Sequence, residues 1–123
     1  MNCFGELEFQ NGWKGEDKIT IWGKEYSIVV KFSAYYEKDE ITENQTESAT
    51  RFIKNKKEVL QNIEKMLTEN NASMSKEEYI PSMLLFERDG SYGLTFDEKN
   101  GAEDGFIILC EPKYEVIDLE EYL

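Results

Sequence analysis

The sequence predicts an α+β protein, in which an antiparallel sheet of about six to seven strands, built as a hairpin and a meander, carries one long helix packed on a face. The first observation is a helical period that persists from Thr42 to Asn70, with alternating segments on both sides. The second is their order, because strands followed by a helix and more strands are typical of a helix-covered sheet. The third is length: 123 residues are expected to form a single domain, 1–123, large enough for a core without disulfides.

Three strands are predicted before the helix. Alternating apolar residues place them at Cys3–Phe9, Lys18–Trp22 and Glu25–Tyr36. The polar and glycine-containing run Asn11–Asp17 predicts a turn between the first two. The pair Gly23-Lys24 is a signal for a tight hairpin between the second and the third.

The long helix is predicted from a stripe of apolar residues that recur at steps of three and four. The stripe consists of Ala49, Phe52, Ile53, Val59, Leu60, Ile63, Met66 and Leu67. Thr42 and Gln45 have the spacing of a capping box at its start. Asn70 and Asn71 favour the left-handed conformation that closes a helix.

After the helix, Ser75 and Glu78 repeat the capping-box spacing and predict one short helical turn, which Pro81 ends. An antiparallel meander is predicted from there on. Its strands are Ser82–Arg88, Tyr92–Phe96, Phe106–Cys110 and Tyr114–Leu119, with a turn at Asp89-Gly90 and a charged loop at Asp97–Gly105. The unbroken apolar run Phe106–Cys110 predicts a strand that is covered on both faces.

Charge is the most unusual property of the chain. It has 26 acidic and 14 basic residues and no histidine, so that its net charge is −12. The first 73 residues hold 13 acids and 10 bases (net −3), and the last 50 hold 13 acids and 4 bases (net −9). Such a field repels nucleic acid and anionic membranes and accelerates encounter with a basic partner. Solubility alone is the alternative explanation.

Catalytic and metal chemistry find little support in the residues. The lack of histidine removes the Ser-His and Cys-His arrangements and most zinc sites. The acidic loop around Asp97 and Asp104 has carboxylates for acid–base work or calcium, yet its spacing does not match an EF-hand, and a solvated loop is the better interpretation. Interleaved acids likewise favour a solvated face over an RNA-binding one for Arg51 and the helix lysines. We therefore expect no enzyme, no cofactor and no metal.

A cytoplasmic location is expected, because the sequence shows neither a secretion signal nor a segment long enough to span a bilayer. In that compartment Cys3 and Cys110 are expected to be buried, reduced side chains. Several aromatic side chains, Trp13 and Tyr35 among them, fall in a turn or on the polar side of their strands. They form either an exposed patch for a partner or part of a sheet face that the chain itself covers.

The order of single aromatics and glycines resembles a family of small bacterial proteins of unknown function. The pattern consists of Phe4-Gly5-x-Leu7, Trp13, the strand Tyr26–Phe32, Gln45 with Ala49 and Phe52, Pro81, Gly93-Leu94-x-Phe96 and Glu103-Asp104-Gly105-Phe106. Members of that family are often encoded among immunity proteins of contact-dependent and other polymorphic toxin systems. Asp104 stands where the family pattern tends to have histidine.

The resemblance and the charge together imply an immunity protein that binds a cognate bacterial toxin, a basic nuclease domain, and occludes its active site. The carboxylates expected to contact the toxin are Asp97, Glu98, Glu103, Asp104, Glu115, Asp118, Glu120 and Glu121. Electrostatic steering would accelerate this association. A non-catalytic interaction domain with another partner, and an enzyme or metal-binding protein that uses the acidic loop, are the alternatives.

Overall fold

The computed structural model describes residues 7–21, 23–70, 79–98 and 105–118. Within these ranges seven strands form one sheet in sequential order, with two helices inserted between the third strand and the fourth. The strands are β1 (Glu8–Phe9), β2 (Trp13–Ile21), β3 (Lys24–Phe32), β4 (Tyr79–Phe86), β5 (Tyr92–Glu98), β6 (Phe106–Glu111) and β7 (Glu115–Asp118), and the helices are α1 (Glu43–Lys54) and α2 (Lys56–Asn70). The predicted α+β class with a seven-stranded sheet is confirmed.

The hydrophobic core lies between the helices and one face of the sheet. The helices contribute Ala49, Phe52, Val59, Leu60, Ile63 and Leu67. The central strands contribute Ile28, Val30, Phe32, Leu84, Phe86, Tyr92, Leu94, Phe96, Phe106, Ile108 and Cys110. On the opposite face Leu85, Thr95 and Ile107 are also buried. Because Ile107 and Ile108 alternate and are both fully buried, the prediction that β6 is covered on both faces is confirmed.

The prediction of a purely antiparallel sheet is wrong at one pair of strands. β3 and β4 run parallel, with Val30 opposite Leu84 and Phe32 opposite Phe86, whereas every other described pair is antiparallel. The connection between them contains both helices, and a helical crossover is what returns a chain to the starting end of a neighbouring strand. The sheet is therefore mixed, with one β-α-β crossover at its centre.

The single long helix of the sequence prediction is two helices with a break at Asn55. This residue leaves helical geometry (φ −112°, ψ 22°), and its side-chain Nδ2 donates to the Arg51 carbonyl oxygen at 3.1 Å. An asparagine side chain that bonds the backbone in this way competes with the helix. On the far side of the break, Lys56 reaches across to β2, at 2.9 Å from Asp17 and 2.7 Å from the Lys18 carbonyl oxygen. Ile53, predicted in the buried stripe, is 41% exposed.

The first strands differ from the sequence prediction in their bounds. Trp13 to Asp17, predicted as part of a turn, belong to β2, because β3 offers a partner along its whole length, from Trp13 opposite Phe32 to Ile21 opposite Lys24. The connection itself is confined to residues 10–12, in which Asn11 and Gly12 have positive φ angles of 61° and 133°. The predicted hairpin after β2 is confirmed, but Lys24 is already in β3, and Gly23 provides the positive φ of 77°.

Later elements agree more closely. β5, β6 and β7 match the predicted meander, and β4 begins earlier than predicted, at Tyr79, so that Pro81 lies inside a strand at a register irregularity. The helical turn predicted around Ser75, the strand residues before Leu7, and Cys3 lie outside the described residues.

Gln45 holds the parallel strands and the helix start together. Its side chain is fully buried, and its amide nitrogen Nε2 donates to the carbonyl oxygens of Ser33 (3.1 Å) and Phe86 (3.0 Å), just beyond β3 and at the end of β4. Its Oε1 accepts from the Thr42 amide at 2.8 Å, while the Gln45 amide donates to the Thr42 hydroxyl at 3.1 Å. The predicted capping box is therefore confirmed, and the same glutamine also bonds two strand ends.

Replacing Gln45 with alanine is expected to lower the free energy of unfolding by about 3 kcal/mol, because it removes two hydrogen bonds to strand-end carbonyl oxygens and the acceptor of the Thr42 amide, and leaves a void where a fully buried side chain stood. Urea unfolding followed by circular dichroism measures this. The matched control is Gln61→Ala, at an exposed position of α2, which is expected to change the free energy by less than about 0.5 kcal/mol. Equal losses in the two variants would contradict the role given to Gln45.

Cys110 is a free, buried thiol of the core, as predicted. Burial raises the pKa of this thiol from its ordinary value of 9.0 to about 12. Burial likewise raises the pKa of Tyr92, which packs on the same side of the sheet. Both groups are therefore neutral in the folded protein at pH values where they ionise in the unfolded chain.

The protein is expected to lose stability at alkaline pH, because the unfolded chain releases the Cys110 proton first. The raised pKa of Cys110 contributes to the free energy of unfolding, and this contribution is fully present below about pH 9 and is lost as the pH rises towards about 12, by about 1.4 kcal/mol per pH unit. The variant Cys110→Ala lacks this pH-dependent contribution. The difference in unfolding free energy between the wild type and this variant should therefore narrow by about 2 kcal/mol between about pH 8 and about pH 10.5. A difference that stays constant would refute the raised pKa.

Candidate functional site

A hydrogen-bonded surface lies where β3 and β4 end and α1 begins. Because the two strands are parallel, their carboxyl ends lie side by side at one end of the sheet. Ligands often bind at this position in parallel sheets. We call it the carboxyl-end surface and define it as the loop 33–42 after β3, the turn 87–91 after β4, and the start of α1 up to Ser48.

The loop after β3 is organised around Asp39. Its carboxylate oxygen Oδ2 accepts hydrogen bonds from the amides of Tyr35 (3.2 Å) and Tyr36 (3.0 Å), and its own amide donates to the Tyr36 carbonyl oxygen at 2.9 Å. Trp13 Nε1 donates to the Asp39 carbonyl oxygen at 2.8 Å, which ties the loop to β2. The loop is thus held in one conformation by four hydrogen bonds to a single residue.

Two tyrosine rings project from this loop into solvent. Tyr35 is 83% exposed and Tyr36 is 64% exposed, by far the largest values among the exposed large apolar residues of the described chain. The ammonium group of Lys38 lies over the Tyr36 ring, 5.6 Å from its centroid. Exposed, rigidly held aromatic side chains are typical of surfaces that bind another protein.

Arg88 connects the turn after β4 to the tyrosine-bearing loop. Its guanidinium donates to the carbonyl oxygens of Ser33 at 3.1 Å and Glu40 at 3.2 Å, while its own carbonyl oxygen accepts from the Thr42 hydroxyl at 2.9 Å. Next to it, the Ser33 hydroxyl donates to the Glu87 carboxylate at 2.6 Å. The loop, the turn and the helix N-cap are therefore one hydrogen-bonded unit.

The turn packs tightly on α1 at Gly90. This glycine has a positive φ of 96°, and a Cβ atom there would lie 3.2 Å from atoms of both Asn44 and Ser48. The Ser48 hydroxyl donates to the Gly90 carbonyl oxygen. Within the turn, hydrogen bonds from the Ser91 amide and hydroxyl lower the pKa of Asp89, which keeps this exposed carboxylate charged.

Two cavities open on either side of the turn. One, of about 220 Å³, is lined by Asn44, Glu47, Arg51, Asp89, Gly90, Ser91, Glu111 and Pro112. The other, of about 420 Å³, is lined by Asn11, Lys31, Ser33, Ala34, Tyr35, Glu87, Arg88 and Asp89. Asp89 borders both. The larger cavity lies within the range of about 300–1,000 Å³ that is typical of small-molecule pockets, and the smaller one lies below it.

Arg51 forms the best-defined ion pair at this edge. Its Nη2 lies 2.6 Å and its Nε 3.0 Å from the two carboxylate oxygens of Glu111, and this hydrogen bonding raises the pKa of the guanidinium above its ordinary value. The pair joins α1 to the end of β6. The guanidinium is thereby paired with a carboxylate of the protein, while the Arg51 side chain stays 50% exposed on the helix face that was predicted to be solvated.

The carboxylates predicted to contact a partner do not form one described patch. Asp97, Glu115 and Asp118 are exposed. Asp97 and Asp118 lie at the end of the sheet opposite the carboxyl-end surface, and they point to different faces, because Asp118 pairs with the core residue Phe106 while Asp97 alternates with the core residue Phe96. Glu115 lies at the start of β7. Glu103, Asp104, Glu120, Glu121 and the side chain of Glu98 lie outside the described residues.

Sequence reasoning identified one of the two exposed tyrosines and missed the network that holds them. Tyr35 was a candidate for an exposed patch, whereas Tyr36 was the last residue of the predicted strand Glu25–Tyr36. The strand β3 in fact ends at Phe32. Asp39, three and four residues after the tyrosines, is a local signal, since short acidic side chains often bond nearby backbone amides in turns. Its pairing with Trp13 depends on a contact across 26 residues and has no local signal.

The buried polar groups of the described residues are satisfied within the protein. Every buried side-chain nitrogen or oxygen among them has a hydrogen-bond partner, and they contain no group of three or more potential metal ligands. Neither described helix combines the length and apolar character needed to cross a membrane. The fold is α+β, and Tyr35 and Tyr36 are the most exposed large apolar side chains of the described residues.

Comparison with known proteins gives the family. A model described as a domain of unknown function (DUF6985) matches residues 3–87, and the chain belongs to this family. The chain matches no curated protein and no solved structure. The matched segment includes the tyrosine-bearing loop, both helices and β4, whereas all the acids predicted as partner contacts follow it.

Replacing Asp39 with alanine is expected to free the tyrosine-bearing loop while leaving the fold intact. Loss of the two charge-assisted hydrogen bonds should accelerate amide hydrogen exchange at Tyr35 and Tyr36 by about tenfold or more, measured by NMR. Glu37→Ala, at an exposed acid of the same loop, is the control and should leave both amides unchanged. Equal exchange in the wild type and the Asp39 variant would show that the carboxylate does not order the loop.

Proposed function

We propose that this protein is a non-catalytic binding domain whose partner is a basic protein, and that it acts as a cytoplasmic immunity protein. In this role it neutralises a cognate bacterial toxin, a basic nuclease domain, by covering the toxin's active site with acidic side chains. The observation that carries the proposal is the net charge of −12 on a chain of 123 residues.

The argument for a basic partner depends on which charged side chains are paired within the protein and which are exposed. Arg51 pairs with Glu111 and Lys56 with Asp17, and Arg88 donates to backbone carbonyls. These three bases are therefore engaged by groups of the protein itself, Arg51 and Lys56 by carboxylates and Arg88 by carbonyl oxygens. Acids such as Asp97, Glu115 and Asp118 are exposed, so that a field of negative sign extends into solvent.

A nuclease toxin is the kind of partner that this field suits. A nuclease must attract a polyanion and therefore presents basic side chains around its active site. An acidic protein competes with nucleic acid for the same basic surface and, once bound, excludes nucleic acid by charge and by volume. The assignment of a toxin as the partner rests on the resemblance of the aromatic and glycine pattern to proteins encoded among immunity genes. The family that the chain belongs to carries no assigned function.

The proposal is tested by affinity purification of the tagged protein from its own cells, with mass spectrometry of the retained proteins. The expected result is the C-terminal fragment of a large secreted protein with a basic toxin domain. Recovery of a specific partner that is not a toxin would overturn the immunity role and leave a binding domain of another kind. An acidic partner would overturn the electrostatic part of the proposal.

Association with such a basic partner is expected to depend strongly on salt. Steering raises the association rate constant above the roughly 10⁵ to 10⁶ M⁻¹s⁻¹ of a neutral pair, and raising the ionic strength from about 0.05 M to about 0.5 M should lower it at least about tenfold. Surface plasmon resonance separates this from the dissociation rate, which should change much less. An association rate constant that does not respond to salt would refute steering by the acidic surface.

A further inference from the structure

We infer that Tyr35 and Tyr36 are the anchor of the partner interface, and that the segment they bind is a basic stretch of protein rich in arginine or lysine. This inference rests on the proposed function and deepens it, because it moves the centre of the contact from the predicted acids of the C-terminal strands to the carboxyl-end surface.

The first argument is exposure combined with order. A tyrosine ring in water is unfavourable apolar surface, and folding normally hides it. Here two adjacent rings are 83% and 64% exposed, although their backbone amides are both held by the Asp39 carboxylate at 3.2 and 3.0 Å. A loop that is already ordered loses little conformational entropy on binding, so that exposed rings on it yield more affinity than rings on a mobile loop.

The second argument is charge around the tyrosines. From Tyr35 to Glu47 the chain holds five acids and one base, a net charge of −4. The acids are Glu37, Asp39, Glu40, Glu43 and Glu47. The four glutamates of this group are exposed, so that the segment that carries the tyrosines is acidic at its surface, while the cavity beside Tyr35 is lined by two acids and two bases. Tyrosine at the centre of an interface and charge at its rim is the usual anatomy of protein recognition.

The third argument is that a cation already occupies the face of one ring. The Lys38 ammonium lies 5.6 Å from the centroid of Tyr36, within the range of a cation–π interaction. An arginine of the partner can take this place, since its planar guanidinium stacks on an aromatic ring and also bonds carboxylates. The cavity of about 420 Å³ beside Tyr35 leaves room for a neighbouring side chain.

The test uses the intact protein as bait for a phage-displayed library of random twelve-residue peptides. Enriched peptides are expected to contain several arginine or lysine residues. Their affinity, measured by isothermal titration calorimetry, should fall at least about 30-fold for the double variant Tyr35→Ala/Tyr36→Ala, as expected for loss of an aromatic hot spot. Lys38→Ala should strengthen binding about threefold, because it exposes the ring face and removes a like charge.

Two matched controls locate the effect. Ile53→Ala/Ile80→Ala removes exposed apolar side chains elsewhere on the surface and should leave the affinity unchanged. Asp97→Asn/Asp118→Asn removes predicted acids at the opposite end of the sheet and should weaken binding only slightly. Thermal unfolding of all four variants, followed by circular dichroism, establishes that each is folded, and substitutions at such exposed positions are expected to be tolerated.

The other outcomes separate this inference from the proposed function. Basic peptides that bind the tyrosine variant normally but not the Asp97/Asp118 variant would overturn the anchor and leave a basic partner in place. Peptides without basic residues that still require the tyrosines would overturn the chemistry of the partner in both proposals. Failure to enrich any peptide would overturn the tyrosine anchor, while the affinity purification would still decide the function.

Discussion

The buried carboxamide of Gln45 is the interaction on which the rest of this structure depends. Parallel strands have no hairpin turn to set their alignment, so that contacts at their ends and the crossover must do so. Gln45 bonds the carbonyl oxygens of Ser33 and Phe86 from a position in the first turn of α1, and in the same geometry completes the helix cap with Thr42. One side chain thereby sets the alignment of β3 and β4 and the starting point of the helix.

The position of the helix start in turn shapes the loop that precedes it. The hydrogen bond from Gln45 to the Ser33 carbonyl oxygen holds the helix start next to the end of β3, and the loop between them folds back on Asp39. Trp13 and Arg88 hold this loop from two sides, by hydrogen bonds to the Asp39 and Glu40 carbonyl oxygens. The tyrosines project outwards because the backbone polar groups of the loop are satisfied inwards.

Two salt bridges join the helices to the sheet. Salt bridges of this kind contribute modestly to stability when they are partly exposed, and Arg51–Glu111 and Lys56–Asp17 are both of this type. Each pair engages one positive and one negative charge, so that the net charge of −12 and the long-range field are unchanged by the pairing. The negative field that the proposed function requires therefore comes from the excess of acids in the composition.

The sequence by itself determined the elements whose signals are local. The Thr42–Gln45 capping box, the apolar run of β6, the alternation of β5 and β7, and the hairpin at Gly23 each depend on residues a few positions apart, and each is present in the structure. Net charge and the absence of histidine are likewise properties of composition, which folding cannot change.

Only the tertiary structure decided the parallel pairing of β3 with β4, the break at Asn55, the extension of β2 back to Trp13, and the exposure of Tyr36. Most of these features depend on partners far apart in sequence, such as Trp13 with Asp39 or Gln45 with Phe86. The break at Asn55 combines a local bond to Arg51 with the contact of Lys56 across to β2. A local pattern states which residues prefer burial or a turn, but the free energy of a long-range hydrogen bond or strand pair overrides that preference wherever it is larger.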